Sequence, residues 1–459
     1  MSPTKKIPSP IVSLFPIIIL IGMLFATIRT FGSDALNGGS QVSLLTTTAV
    51  CIFIGITFYR IPWKDYEIAI TNNIAGVSSA IIILLIIGAL SGAWMISGVV
   101  PTLIYYGMKI IHPDFFLTST CIICALVSIM TGSSWTTIAT IGIALLGIGK
   151  AQGFEEGWIA GAIISGAYFG DKVSPLSDTT VLASSVTDTP LFRHIRYMMI
   201  TTIPSLVITL IIFTVMGFTY ETSGTEQIAE FAASLNSRFH ITPWLLIVPV
   251  ATGILIARKI PSIITLFLST LLAAAFAIIF QPDLLYEISG SNGLFKGTIM
   301  SLYGSTSLQS DSAMLTELIA TRGMAGMMNT IWLILCAMCF GGVMYGSGML
   351  LAISRLFLRM AHRTVSVVGA TVSSGVFFNL VTGDQYISII LTGNLFRNLY
   401  DKRGLERRLL SRSMEDSATV TSVLIPWNSC GMTQSTVLGV ATLTYLPYCI
   451  FNIVSPFMS

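Results

Sequence analysis

Charged residues are scarce in this chain. Only 10% of its 459 residues are Asp, Glu, Lys or Arg, whereas 53% are hydrophobic and the mean hydropathy is +0.82. Soluble domains carry roughly a quarter charged residues, so the composition excludes an ordinary soluble protein and indicates a polytopic membrane protein. The net charge of +3 is too small to indicate a nucleic-acid partner.

A cleavable signal peptide and a metal-binding cysteine motif are also missing. Lys5 and Lys6 precede an apolar run that is too long for a signal peptide and lacks a small-residue cleavage site, so we expect a retained span. Seven cysteines occur, and the C-x-x-C pairs at 121–124 and 336–339 lie in apolar runs without nearby histidines. We therefore expect them to be apolar core residues.

Long apolar runs recur along the chain, and each is long enough, or nearly so, to cross a hydrocarbon core of roughly 30 Å as a helix. The fold class predicted from them is an all-α polytopic membrane protein with about 10–13 membrane segments. The runs cover residues 11–31, 42–58, 74–97, 197–219, 243–257, 262–280, 331–350 and 436–454.

The chain contains an internal repeat. Residues 67–112 align without gaps on 317–362 at a shift of 250, so that Gly92 meets Gly342 and Ser97-Gly98 meets Ser347-Gly348. At a shift of 251, Thr131-Gly132 meets Thr382-Gly383. Two related halves of this kind are typical of secondary transporters.

Loop charges predict that the two halves have opposite orientations. After the first Thr-Gly pair comes the acidic loop KAQGFEEG (150–157), and after the second comes the basic stretch RNLYDKRGLERRLLSR (397–412). Because Lys and Arg favour the cytoplasmic side, these equivalent loops fall on opposite faces, and the repeats are predicted to be inverted. The same reasoning leaves residues 115–148 and 365–396 with both ends on one face, so each is predicted to be a re-entrant hairpin.

The predicted organisation follows from these assignments. The first repeat covers 1–192, with hairpin 115–148 and a broken span 158–185. A linking span and outer loop cover 193–240. The second repeat covers 241–435, with hairpin 365–396 and a broken span 414–435, and a C-terminal span covers 436–459. The hairpin tips are expected at Thr131, Gly132, Ser133 and Ser134 and at Thr382, Gly383, Asp384 and Gln385.

Polar residues interrupt the span after each hairpin. The first interrupted span contains GAYFGDKVSPLSDTTVLAS (166–184) and the second reads MEDSATVTSVLIPWNSCGMTQST (414–436). Pro175 and Pro426 remove backbone donors, which favours a local break in each helix. Freed carbonyls, hydroxyls and a carboxylate together form an oxygen site that suits a hard cation such as Na⁺.

Asp178 is the first candidate for the shared cation and proton site, with Ser177, Thr179 and Thr180 as hydroxyl ligands. A carboxylate near the bilayer centre is costly unless it is paired, hydrated or protonated, so a cation and a proton can compete for it. The alternative for Asp178 is a helix cap within a packed break.

Most further ion-binding or proton-binding candidates have a structural alternative. Asp171 is equally consistent with an ion pair at the membrane interface beside Lys172, and Asp416 is taken as its positional counterpart. Glu415 is expected to face the cytoplasmic interface. Asp384 could be an ordinary turn residue. Asn428 and Ser429 are candidates for which hydrogen bonding between helices is the alternative, and Ser174 is the remaining candidate.

The string at 166–184, together with the later Thr-Gly and Pro-Trp-Asn-Ser segments, resembles the NhaC family of sodium/proton antiporters over nearly the whole chain. This resemblance implies membership of the ion transporter superfamily. It also implies a scaffold domain, a transport domain with two re-entrant hairpins, a homodimer and elevator-like movement in the cytoplasmic membrane. Relatives of this kind include exchangers of organic acids such as malate and lactate, and carriers of amino acids.

Two functions stay open at this point. One is exchange of Na⁺ for H⁺ by alternating access, with no cofactor beyond the transported ions. The other is Na⁺-linked or H⁺-linked transport of an organic acid or amino acid, whose carboxylate would bind to amides at the hairpin tips and to Ser133 and Ser134. An enzyme has little support, because no Ser/His/Asp set or metal-ligand cluster is visible in the sequence. A channel has little support, because inverted repeats with broken helices favour alternating access over an open pore.

Overall fold

The structure is a computed structural model that describes residues 8–31, 35, 37–220, 225–290, 293–306, 308–310, 313–360 and 363–459. Lys5 and Lys6 lie outside these ranges. Within them the regular elements are helices, and one isolated bridge joins Thr306 to Thr321.

The first part of the chain forms eleven α-helices up to the linking span. They are α1 (Pro10–Phe31), α2 (Gly39–Tyr59), α3 (Trp63–Gly76), α4 (Ser78–Ile96), α5 (Val99–Ile110), α6 (Phe116–Thr131), α7 (Ser134–Thr137), α8 (Ile143–Ala151), α9 (Glu156–Val173), α10 (Asp178–Val186) and α11 (Leu191–Thr219). A 3₁₀ turn at Pro113–Phe115 precedes α6, and a π-helical turn at Ile138–Gly142 joins α7 to α8.

Fourteen further helices follow. They are α12 (Thr225–Arg238), α13 (Ile247–Ala257), α14 (Ser262–Phe280), α15 (Pro282–Ser289), α16 (Leu294–Tyr303), α17 (Ala313–Ile319), α18 (Met328–Gly346), α19 (Met349–Met360), α20 (Thr364–Thr382), α21 (Gln385–Lys402), α22 (Arg407–Met414), α23 (Ser429–Leu438), α24 (Thr442–Tyr445) and α25 (Ile450–Met458). A π-helical turn at Glu415–Thr419 continues α22, and 3₁₀ turns lie at Pro243–Leu246, Met324–Met327, Ser422–Leu424 and Leu446–Tyr448.

Nine helical segments within the described ranges are long and apolar enough to cross a membrane, or ten if the bent pair Ile228–Arg238 and Pro243–Ala257 counts as one further span. The helices α9, α21 and α22 carry charged residues and are not among these segments. The protein is therefore an all-α, multi-pass membrane protein, as predicted.

The two halves repeat the same order of helices in the predicted register. Helices α4 and α18 begin and end 250 positions apart, and so do α5 and α19. Further on, the ends of α6 and α20 and the starts of α9 and α22 are 251 apart. Opposite orientation of the halves stays a prediction, because helix length alone does not separate a re-entrant arm from a full span.

Each predicted hairpin is a pair of helices joined by a short turn. Gly132 ends α6 with φ of 66°, and Gly383 ends α20 with φ of 67°, a left-handed conformation that glycine adopts without strain. Each helix pair therefore turns at the positions predicted for the tips, 131–134 and 382–385, while their re-entrant placement in the membrane stays a prediction.

The hydrophobic interior consists of three buried clusters, and each contains residues from both halves of the chain. One buried cluster joins α4–α9 to α14 and α15, a second joins α1, α2 and α18, and a third joins α10 to α20–α22. Trp135, at the first hairpin tip, packs against both the first and the second cluster. All seven cysteines are free and at least partly buried, in agreement with the prediction of core residues.

One predicted element is wrong. The C-terminal region 436–459 is not a single span, since Gly439 ends α23 in a left-handed conformation and two shorter helices, α24 and α25, follow. Pro447 lies in the 3₁₀ turn between them, where its missing N–H and fixed φ interrupt a continuous helix. The other domain boundaries stay predictions.

Candidate functional site

The first broken span is interrupted at Ser174–Ser177, between α9 and α10. Pro175 lies within this break, as expected from its inability to donate a backbone hydrogen bond. Ser177 is the N-cap of α10, and its hydroxyl accepts the Thr180 amide at 3.5 Å. Asp178 is the first residue of α10, and its side chain is exposed to a cavity. A negative charge is favourable at this helix end.

The tip of the first hairpin contacts the last turn of α9. Oδ2 of Asp171 accepts hydrogen bonds from the Ser134 amide at 3.1 Å and from the Ser134 hydroxyl at 2.7 Å. Asp171 is almost fully buried, so these two donors replace water around its carboxylate. The tip and the broken helix are thereby joined at one carboxylate.

The second tip is built in a related way. Asp384 is the N-cap of α21, and its Oδ1 accepts the Ile387 amide at 3.0 Å. Its Oδ2 accepts the Ser429 hydroxyl at 3.2 Å, and the Ser429 amide donates to the Gly383 carbonyl at 2.7 Å. Asp384 is therefore both a helix cap and a buried carboxylate between the second tip and the second break.

Three carboxylates meet in one cavity of about 650 Å³. Asp171, Asp178 and Asp384 line it together with both hairpin tips, and further lining residues come from the α3–α4 junction and the α13–α14 loop. Lys259 is the one basic residue among the described residues that line it. Oxygen-bearing side chains dominate the tip side: Thr131, Ser133, Thr136, Thr179, Gln385, Tyr386 and Ser429.

Hydrogen bonds at equivalent positions of the two repeats correct the assignment of Asp416 as the counterpart of Asp171. Ser134 and Asp171 are 251 positions before Gln385 and Ser422, and the Ser422 hydroxyl donates to the Gln385 side-chain oxygen at 3.2 Å. The structural counterpart of Asp171 is therefore Ser422, not Asp416. The ungapped repeat register continues through the second broken span, whereas pairing Asp171 with Asp416 would need a shift of 245.

Asp416 lies elsewhere, in a buried ion pair with Lys172. The Thr201 hydroxyl donates to Asp416 Oδ2 at 2.9 Å, and the Ser455 hydroxyl donates to Oδ1 at 3.1 Å. Lys172 thus pairs with Asp416 rather than with Asp171, and both partners are fully buried instead of interfacial. Because Asp416 is engaged and does not line the cavity, we do not include it in the cation site.

Glu415 is also fully buried, so its expected position at the cytoplasmic interface is wrong. Neither of its carboxyl oxygens has a hydrogen-bond partner within the described part of the chain. The π-helical turn that begins at Glu415 widens the helix and turns both acidic side chains inward.

Other predicted ligands serve the local structure. The Ser174 hydroxyl donates to the Ile129 carbonyl at 2.8 Å, and the Thr180 hydroxyl donates to the Lys172 carbonyl at 3.0 Å. Asn428, the N-cap of α23, accepts the Cys430 amide at 3.1 Å, next to the break that contains Pro426. The Thr382 hydroxyl accepts the Asp384 amide at 3.3 Å. These four side chains do not line the cavity.

Several lining residues were not predicted, notably Lys259, Trp135 and Tyr386. Trp135 and Tyr386 are equivalent at the 251 shift, so the repeat could have drawn attention to them. Lys259 comes from a distant loop, and no local pattern connects it to the tips. No group of three or more His, Cys, Asp or Glu side chains suited to a metal ion occurs in the described ranges.

Two broken helices and two helical hairpins that converge on one polar cavity define a secondary transporter. The model of the Na⁺/H⁺ antiporter family matches residues 166–459. The chain is 37% identical to the malate-2H⁺/Na⁺-lactate antiporter of Bacillus subtilis, over 95% of this chain and 91% of that protein. It is 34% identical to the Na⁺/H⁺ antiporter NhaC of the same organism, over 90% of each.

The arginine/ornithine antiporter ArcD of Halobacterium salinarum is 34% identical, over 99% of this chain and 91% of that protein. The chain belongs to the Na⁺/H⁺ antiporter family.

Proposed function

We propose that the protein exchanges Na⁺ for H⁺ across the membrane by alternating access, with Asp178 as the carboxylate that the two ions share. The observation that carries this proposal is the single cavity lined by Asp171, Asp178 and Asp384. Three carboxylates in a confined space repel one another, so a cation or a proton must offset their charge.

The surrounding groups favour a cation over an anion. Lys172, the basic residue next to Asp171 in sequence, is already engaged by Asp416. Lys259 is exposed and comes from the α13–α14 loop, and no carboxylate–lysine ion pair involves it within the described ranges. Thr179 and Ser133 bring hydroxyl oxygens to the same side as Asp178, and oxygen ligands suit Na⁺.

The two walls of the cavity suggest how access alternates. One wall consists of hairpin tips and helix breaks, which are tied together by the Ser134–Asp171 and Ser429–Asp384 hydrogen bonds. The other wall consists of Gly76–Ile83 and the loop around Pro261. Movement of the first wall as a unit against the second would expose the carboxylates to each side in turn.

Flux measurements in proteoliposomes test the proposal. The wild-type protein should acidify or alkalinise the vesicle lumen in response to an imposed Na⁺ gradient with no organic solute present. Asp178→Asn should abolish this movement, while Asp283→Asn, which removes an exposed carboxylate on α15, should retain it. Folded, reconstituted wild-type protein that moves no protons under a Na⁺ gradient would rule out the exchange.

A second candidate is coupled transport of an organic acid or amino acid. The malate-lactate and arginine/ornithine antiporters among the relatives favour it, as does Lys259 at the cavity, which could attract a substrate carboxylate. Uptake of labelled malate, lactate and arginine by the same vesicles decides between the two. Solute uptake that responds to the Na⁺ or H⁺ gradient, and ion flux that requires the solute, would replace the first function by the second.

The proposed setting is the cytoplasmic membrane, with a homodimer as the assembly. Exposed apolar side chains along α1, α11 and α14 suit contact with lipid or with a second copy. Cross-linking in native membranes, followed by mass measurement of the solubilised protein, distinguishes a dimer from a monomer.

A further inference from the structure

A second cavity lies at the corner between α10 and α11, apart from the carboxylate-lined cavity. It has a volume of about 910 Å³ and is open to solvent. Its walls come from the loop after α10, the first turns of α11 and the start of α22. Four of its lining residues are arginines and two are acidic: Asp188, Thr189, Pro190, Arg193, Arg196, Tyr197, Ile200, Glu406, Arg407 and Arg408.

Both acidic residues of this cavity are already neutralised. Asp188 Oδ2 accepts hydrogen bonds from Arg397 and, at 2.9 Å, from Arg407. Glu406 accepts from Arg408, whose guanidinium also lies 4.6 Å from the centre of the Tyr197 ring. Arg407 also pairs with Asp401 at 2.9 Å, so three carboxylates balance the three arginines Arg397, Arg407 and Arg408. The excess positive charge of the cavity therefore belongs to its two remaining arginines.

Arg193 and Arg196 have no ion-pair partner within the ranges that the structure describes, and both are exposed. They lie on the first two turns of α11, a helix of 29 residues, where the helix dipole disfavours positive charge. No acidic residue lies in that first turn, and Pro190 provides no side-chain cap. An anion in the cavity would neutralise both guanidinium groups, which can each bind phosphate through two parallel hydrogen bonds.

The cavity adjoins an exposed apolar surface on α11 that acyl chains can contact. Phe192 is 75% exposed, Ile200 is 59% exposed and Ile203 is 46% exposed along α11. Ile200 also lines the cavity, so the apolar surface begins where the basic one ends. A free anion would contact only the arginines, whereas a phospholipid would contact the arginines with its headgroup and the apolar face of α11 with its acyl chains.

We infer that this cavity binds the phosphate headgroup of an anionic phospholipid from the cytoplasmic leaflet, with its acyl chains along α11. The cytoplasmic assignment follows from the basic stretch 397–412, since basic pockets on that side recognise anionic headgroups. The site is independent of the proposed ion exchange and adjoins α10, the helix that begins with Asp178.

Binding is measured on the purified full-length protein. The probes are phosphatidylglycerol and, as the neutral comparison, phosphatidylcholine, and the readout is lipid retained in native mass spectrometry at increasing lipid concentration. Arg193→Gln/Arg196→Gln should weaken phosphatidylglycerol binding by tenfold or more, because two charge-assisted contacts are lost. Arg193→Lys/Arg196→Lys keeps the charges without the paired hydrogen bonds and should give an intermediate affinity.

The matched control is Arg355→Gln/Arg359→Gln on α19, which removes two exposed charges at similar spacing. It should leave phosphatidylglycerol binding within about threefold of wild type, because it removes only non-specific electrostatic attraction between surface arginines and the anionic lipid. An equal loss in both double variants would overturn the inference, as would equal retention of phosphatidylcholine.

Inorganic phosphate distinguishes the two possible sources of the anion. If millimolar phosphate displaces phosphatidylglycerol from the wild-type protein, the site recognises a free anion and the lipid assignment is wrong. Elution volume and melting temperature without added lipid confirm that each variant is folded. Since the readout needs no transport, the outcome does not depend on whether Na⁺/H⁺ exchange is found.

Discussion

The Lys172 ammonium and the Asp416 carboxylate form an ion pair in which both side chains are fully buried. The pair joins the last turn of α9 to the π-helical turn that follows α22, and so links the two broken spans. Ser455 on α25 contacts both partners, accepting from Lys172 at 3.0 Å and donating to Asp416 at 3.1 Å. The spans that carry the two breaks are therefore held together through charge as well as packing.

Removal of one partner of this pair should destabilise the protein strongly. Lys172→Met and Asp416→Asn should each cost about 3–5 kcal/mol, because each removes the closest partner of a buried charge. Arg412, whose Nε lies 3.8 Å from Asp416 Oδ2, offsets part of the loss in Lys172→Met. The double variant should be more stable than the sum of the two losses predicts. Thermal unfolding in detergent measures all three.

The exposed Arg408–Glu406 ion pair is the control for this comparison of single and double variants. Arg408→Met/Glu406→Gln should change stability by no more than about 1 kcal/mol, since water already screens an exposed pair. Additive losses for Lys172→Met and Asp416→Asn would contradict a direct energetic coupling between the two residues.

Alanine substitutions at three left-handed glycines should rank by the space around them. A Cβ at Gly132 would lie 2.7 Å from the Leu176 backbone, one at Gly383 would lie 3.2 Å from Ala337 Cβ, and one at Gly404 would meet nothing within 4 Å. Backbone strain of about 1–2 kcal/mol applies to all three, and overpacking adds roughly 1–3 kcal/mol at Gly132.

The melting temperature should therefore fall most for Gly132→Ala, less for Gly383→Ala and least for Gly404→Ala. Gly132→Ala should also reduce ion flux, because the clash separates the first tip from the break beside Asp178. Equal destabilisation by all three substitutions would mean that backbone strain dominates and that the tip does not pack tightly on Leu176.

Substitutions at Asp384 separate its role as a helix cap from its charge. Asparagine caps a helix as well as aspartate does, so Asp384→Asn should change stability little, whereas Asp384→Ala should cost about 1 kcal/mol. If the charge contributes to cation binding, Asp384→Asn should still lower Na⁺-dependent flux by tenfold or more. If Asp384→Asn retains wild-type flux, Asp384 acts only as a helix cap and its charge does not contribute to cation binding.

Competition between Na⁺ and H⁺ should appear as a pH-dependent apparent affinity. As the pH falls, protons occupy the shared carboxylate, and the Na⁺ concentration for half-maximal flux should rise. Asp178→Asn should remove this dependence in any residual flux, whereas Asp283→Asn should preserve it. Flux at several pH values with a fixed pH difference across the membrane measures it, and a pH-independent affinity in the wild type would exclude direct competition.

Local sequence patterns were sufficient to predict the positions of several parts of the candidate site. Pro175 and Pro426 predicted both breaks, since proline lacks the donor that a continuous helix requires. The Thr-Gly pairs predicted both hairpin tips, since a left-handed turn requires glycine there. The hydroxyls around Asp178 in the broken span and the place of Asp384 at the predicted second tip point to these two carboxylates, and the structure places both in one cavity with Asp171.

The sequence by itself determined the class of protein, the two related halves, the breaks and the tips, because each depends on neighbouring residues or on a constant repeat shift. Only the tertiary structure decided which charges meet. It paired Lys172 with Asp416, buried Glu415, joined Asp171 to Ser134 and brought Lys259 to the cavity. These contacts depend on how the helices pack in space, and partners that are distant in the chain, such as Lys172 and Asp416 at 244 positions apart, carry no local signal of their proximity.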